Sequence, residues 1–107
     1  MKYGPNTPAV ERLLKQLDGI TPEQAEDLER TPWYFSQRMV LDAAWNAARS
    51  SGRYAAWRAA LHEGHVPTGM AAWNEIRDAI LALVVRDLIS GEHFEALYGP
   101  WKRVMDK

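Results

Sequence analysis

The chain contains no cysteine, which excludes a disulfide framework, a thiolate zinc site, an iron-sulfur cluster and a cysteine nucleophile. It has no long hydrophobic run either. The longest strongly apolar stretch, Ala79 to Val85, falls far short of the roughly 20 residues that span a bilayer. Residues Met1 to Asn6 hold no apolar segment of the secretory kind, so the reading is a cytoplasmic chain with no membrane partner. Neither sign of charge dominates: thirteen Lys and Arg face fourteen Asp and Glu, a net charge of -1. That balance argues against a chain that holds nucleic acid mainly by bulk positive charge. There is no P-loop, no G-x-G-x-x-G and no G-x-S-x-G. The spacing also reveals no paired carboxylates in an apolar frame, so the chain is read as not an enzyme, with no cofactor and no metal.

Phenylalanine is scarce, with two residues against five tryptophans: Trp33, Trp45, Trp57, Trp73 and Trp101. The 47% hydrophobic and 25% charged shares are those of a folded globular chain, and 107 residues suit one domain. Three Thr-Pro pairs, at 7-8, 21-22 and 31-32, each place a capping hydroxyl before a ring suited to the first helical turn. The first helix is expected from about Pro8 to Asp18, on the stripe Val10, Leu13, Leu14 and Leu17, with residues 1-7 loosely ordered before it. The second spans Pro22 to Glu29, opened by a capping box of Thr21 and Gln24.

A third helix, Pro32 to Ser50, sets Arg38, Asp42, Asn46 and Arg49 on a polar face opposite Trp33, Val40, Leu41, Ala44 and Ala48. Ser50, Ser51 and Gly52 predict a break or kink before a fourth helix, Arg53 to His62. The fifth, from Gly69 or Met70 to Ile89, is apolar nearly all round over residues 79-85, which marks it as the central element. Ser90 caps a sixth, Gly91 to about Tyr98, which Gly99-Pro100 is expected to stop. Trp101 to Met105 would then add one last turn. No segment alternates apolar and polar residues between hairpin turns. The fold class is therefore all-α: a compact single-domain bundle of five to six helices around a central apolar helix at about 70-89.

Several constellations invite a functional reading. His62-Glu63-Gly64-His65 has its imidazoles at i and i+3 rather than the i and i+4 of a zincin, so a solvated helix end is preferred even with His93 as a third ligand. Asp87 projects into the stripe of Trp73, Ile76, Ile80, Leu83 and Val84 and needs a partner: an indole N-H, an Arg or the region after Ser90. Ala-Ala-Trp recurs at 43-45, 55-57 and 71-73, a pattern that reads first as core packing and second as a surface anchor. Residues 20-28 and 89-97 repeat one order of staple, cap and acid, each followed by Pro-Trp, and this reads as helix grammar.

Charge is uneven along the chain. Residues 9-30 carry six acids and three bases; residues 36-62 carry Arg38, Arg49, Arg53 and Arg58 against Asp42 alone. The blocks either pair across the surface or leave a basic patch interleaved with Trp45, Tyr54 and Trp57.

Residues 43-49 (Ala-Ala-Trp-Asn-Ala-Ala-Arg), 83-94 and Gly99-Pro100-Trp101 resemble small, uncharacterised Ala/Trp/Arg-rich helical proteins of actinobacteria and their phages. The resemblance covers about residues 20-105. It implies a helical fold and a lineage, with no catalytic residue to carry over, and Ser-Ser-Gly and Glu-Gly-His-Val-Pro depart from its pattern. The functional expectation is a non-catalytic protein-protein interaction module, a phage or prophage accessory protein acting on a host protein. Trp45 would anchor the partner, with Arg38, Arg49, Arg53 and Arg58 around it. A homodimer is a further partner reading. The alternative function is a nucleic-acid-binding helical protein that uses the block 36-62.

Overall fold

Helix α5, Met70–Val84, is the centre of the molecule, as the all-round apolar run of its second half requires. Ala72, Ile76 and every residue from Ala79 to Val85 are buried. Around α5 pack α1 (Thr7–Asp18), α2 (Pro22–Glu29), α3 (Phe35–Ser50), α4 (Tyr54–Glu63) and α6 (Gly91–Met105), all five in contact with it. The computed structural model describes residues 2-30, 35-64 and 70-106, so the Thr31-Pro32 helix start, Trp33 and His65 lie outside the described residues. Among the described residues there is no strand, and the fold is an all-α bundle of six helices.

The helix ends show how local chemistry set the boundaries. Thr21 and Gln24 form the reciprocal capping box: the Gln24 N-H donates to the Thr21 hydroxyl at 3.1 Å, and the Thr21 N-H donates to the Gln24 amide oxygen at 2.9 Å. The His93 N-H donates to the Ser90 hydroxyl at 3.1 Å and opens α6. The break after Ser50 is a Schellman ending. Arg53 N-H donates to the Ala48 carbonyl at 2.9 Å and Gly52 N-H to the Arg49 carbonyl at 3.3 Å. Gly52 sits at φ +75°, which glycine adopts without steric cost.

Three expectations are corrected. The segment 1-7 is packed from Tyr3 onward: Tyr3 is buried, Gly4–Asn6 form a 3-10 turn, and α1 begins at Thr7. The Thr7 hydroxyl donates to the Gly4 carbonyl at 2.6 Å and accepts from the Tyr3 N-H at 3.0 Å. Thr7 thus ties the N-terminal turn down rather than capping α1.

The second correction is that α6 runs through Gly99-Pro100 to Met105. A proline inside a helix costs about 3 kcal/mol. Trp101, fully buried one residue later, gains about 5 kcal/mol from about 200 Å² removed from water, against about 1 kcal/mol or more for an indole N-H buried without a partner. Packing therefore overrides the local break.

The third is that α5 ends at Val84, five residues before the expected Ile89. Its last carbonyl, that of Val84, accepts from the Arg53 guanidinium at 3.3 Å and the Asn6 amide at 3.4 Å. With the helix end satisfied by side chains, the chain leaves as a 3-10 turn, Arg86–Leu88, and Asp87 turns outward to about half exposure.

Candidate functional site

The acid that stood out in the sequence, Asp87, belongs to this junction. Arg53 grips both carboxylate oxygens, Oδ2 at 2.9 Å, and the Asn6 amide donates to the other, Oδ1, at 2.9 Å. Those donors, Arg53 before Asn6, hold the Asp87 carboxyl well below the usual carboxylate range. The group ties the N-terminal turn, the start of α4 and the end of α5 together. An Arg was one of the partners foreseen for Asp87, but the setting is a surface turn rather than the apolar stripe.

The buried acids lie elsewhere, on the first half of α5. Glu75 and Asp78 are spaced i, i+3, so they share one face of the helix. They are 8% and 7% exposed. Burial, then the neighbouring Asp78, pushes the Glu75 carboxyl up to about 7, with Arg103 opposing. Burial pushes Asp78 up to about 6 against the pull of Arg77. Arg77 Nε lies 3.6 Å from Asp78 Oδ1, an ion pair without a hydrogen bond, and both atoms are buried with no hydrogen-bond partner. The two acids thus share a buried face, within a cleft lining that also carries Arg38, Asp42 and Arg77.

These two acids floor a cleft of about 500 Å³ between α2, α3 and α5. Leu28 and Glu29 border it from α2, and Arg38, Leu41, Asp42 and Trp45 from α3. Residues 38, 42, 45 and 49 follow each other at helical spacing, so Arg38, Asp42, Trp45 and Arg49 form one stripe along α3. Trp45 is half-buried and held by an aromatic cluster. Its ring meets Trp57 edge-on at 4.4 Å and 75°, and Tyr54 at 5.6 Å. The Arg49 guanidinium sits 5.4 Å from the Trp45 ring centroid, in cation-π range. The Trp57 indole in turn donates to the Arg77 carbonyl at 3.4 Å, which fixes the cluster to α5.

Of the residues singled out in the sequence, Arg38 and Trp45 meet in the cleft and Arg49 covers the Trp45 ring. Arg58 lies on the other side of the aromatic cluster, exposed beside a second depression with Tyr54, Trp57, Leu61, His62 and Trp73. Arg53 is turned inward onto Asp87, its side chain 16% exposed. Trp101 and Trp57 are buried, while Trp73 is half-buried like Trp45. His62 is exposed at the end of α4, and Glu63 pairs with Lys2 at 3.1 Å. Arg30 closes on Glu26 and Asp27 within its own helix. None of these pairs joins the acidic block 9-30 to the basic block 36-62.

Glu75 and Asp78 were missed by inspection of the sequence, although a signal was there. A helix surrounded by its neighbours has few solvated faces, so every charge inside it is a candidate buried charge. In comparisons with family models, curated proteins and solved structures, nothing matches this chain.

Proposed function

We propose that this chain is a non-catalytic protein-binding module that docks its partner on the α3 stripe of Arg38, Trp45 and Arg49. The observation that carries the reading is Trp45: a half-exposed indole held between Trp57, Tyr54 and Arg49 and bordering a cleft. A large side chain already fixed in place loses little entropy on binding, which is why such indoles act as anchors. The cleft's described lining has carboxylates, guanidinium groups and one amide, without hydroxyl, thiol or imidazole. No serine, cysteine or lysine nucleophile is among them, and Glu75 and Asp78 are read as counter-charges for a partner rather than as an acid–base pair. The acidic floor beside Trp45, and the commitment of Arg53 to Asp87, weigh against nucleic acid as the partner. A phage or prophage accessory role toward a host protein is the biological setting that fits the resemblance.

The test is capture from an actinobacterial lysate on the immobilised chain, identification of the captured protein, and titration of the purified pair. Trp45→Ala is expected to weaken the pair by about 30-fold, the loss of about 2 kcal/mol typical of an anchor residue. The exposed Arg49→Ala variant should weaken it in the same direction. Unchanged affinity in both variants, with helicity retained, refutes the assignment. A salt-dependent shift on DNA that disappears on charge reversal at Arg49 and Arg58 would support the nucleic-acid reading instead.

A further inference from the structure

We infer that the cleft between α2, α3 and α5 receives the cationic end of a lysine or arginine side chain from the partner, with Glu75 and Asp78 as its counter-charges and Trp45 as the wall. The inference rests on the docking role of α3 and names what enters beside it.

Two independent observations converge. The first is charge: among the described residues four carboxylates, those of Glu29, Asp42, Glu75 and Asp78, line the cleft against two guanidinium groups, Arg38 and Arg77. The second is an unmet demand. Glu75 is more than nine-tenths buried, lines the cleft and has no hydrogen-bond donor among the described residues, while Asp78 Oδ1 is sealed from water and faces Arg77 Nε at 3.6 Å. A buried carboxylate without donors is costly, and an entering ammonium or guanidinium group supplies the missing donors. Among the described residues none of the three arginines near these acids hydrogen-bonds to Glu75, and Arg103 acts on it through charge alone. Arg77 stays 3.6 Å from Asp78 without a hydrogen bond, and Arg38 is exposed at the cleft border. The rest of the cleft fits the stem of such a side chain. Leu28, Leu41 and the Trp45 ring offer apolar surface for methylenes, and an indole adds cation-π attraction.

Occupancy should depend on pH. Among the described residues the charged groups that share the cleft with Glu75 are Glu29 from α2, Arg38 and Asp42 from α3, and Arg77 and Asp78 from α5, and Arg103 from α6 acts on it as well. With the floor carboxyls near 7 and 6 in the free protein, much of their charge is lost at pH 5.5 and most is present at pH 8. A cation entering the cleft therefore binds more tightly at pH 8 and releases protons from Glu75 at pH 6.5.

The experiment titrates the whole chain with N-acetyl-lysine amide, its uncharged analogue N-acetyl-norleucine amide, and N-acetyl-glutamate amide, by nuclear magnetic resonance. The lysine probe is expected to shift the Trp45 indole N-H and the Glu75 side-chain carboxyl carbon, at least fivefold more tightly than the norleucine probe. Glu75→Gln and Asp78→Asn, which keep volume and remove charge, should each weaken it at least threefold, and pH 5.5 should weaken it as much. Equal binding of lysine and norleucine probes, preference for the glutamate probe, or indifference to both substitutions overturns the proposal. So does displacement of the lysine probe from Trp45 by a single-stranded oligonucleotide. The probe needs no identified partner: loss of Trp45 dependence in the capture experiment would sink the docking role while leaving the cation preference intact.

Discussion

Replacing Glu75 by Gln should make the protein more stable at pH 8, and the structure sets the size of the gain. The carboxyl titrates at about 7 in the folded chain against an ordinary value of 4.5. Between those values the unfolded chain has released its proton while the folded chain still holds it. Stability therefore falls as pH rises from 4.5 to 7, and the full cost is carried above 7. An interval of about 2.5 pH units at about 1.4 kcal/mol each gives a ceiling of about 3.5 kcal/mol. The carboxyl borders an open cleft and keeps part of its hydration, so about 1.5 kcal/mol is the working expectation. Gln has nearly the same volume and no charge to bury. Glu75→Gln should match the parent at pH 4.5 and exceed it at pH 8, by about 6 °C in Tm at roughly 4 °C per kcal/mol for a domain of this size. Thermal and urea melts followed by circular dichroism at pH 4.5, 6 and 8 measure both. If the variant is no more stable than the parent at pH 8, or the two pH profiles run parallel, Glu75 is not a buried charge and the account of the cleft floor fails.

Asp87→Ala should cost about 1 to 2 kcal/mol at neutral pH, because Arg53 and Asn6 lose their acceptor; the side chain's half exposure keeps the figure below that of a buried pair. The Asp87 carboxyl is held below its unfolded value. Its contribution is thus complete above the ordinary carboxylate range and fades as pH falls through the folded value, so parent and variant should converge in acid; a gap that persists there argues against the linkage. Gly52→Ala should cost about 1 kcal/mol by urea denaturation. A Cβ there meets nothing within 4 Å, and only the positive φ opposes it. An unchanged midpoint would mean that the Schellman ending contributes nothing.

Much of the architecture was legible because its signals are local. The Thr21-Gln24 box and the Ser90 cap each depend on residues within one turn and took the form expected, and the break foreseen at Ser50 to Gly52 is present as a Schellman ending. The failures share a cause. Pro100 carries a strong local stop signal, yet the burial of Trp101 against the rest of the bundle outweighs it. Asp87 looked buried because an α-helical projection was continued past Val84, where side chains from Asn6 and Arg53, far away in sequence, end the helix. Glu75 and Asp78 went unremarked because their helix was judged by its apolar second half.

The amino-acid order alone fixed that the chain is helical, where most of its helices start, and that α5 lies at the centre, since periodicity and capping act within a few residues. Which acids are buried, which indoles stay half-exposed, and which arginine is drawn onto Asp87 were decided by tertiary packing. Those properties depend on what neighbouring helices cover, and no short-range pattern records that.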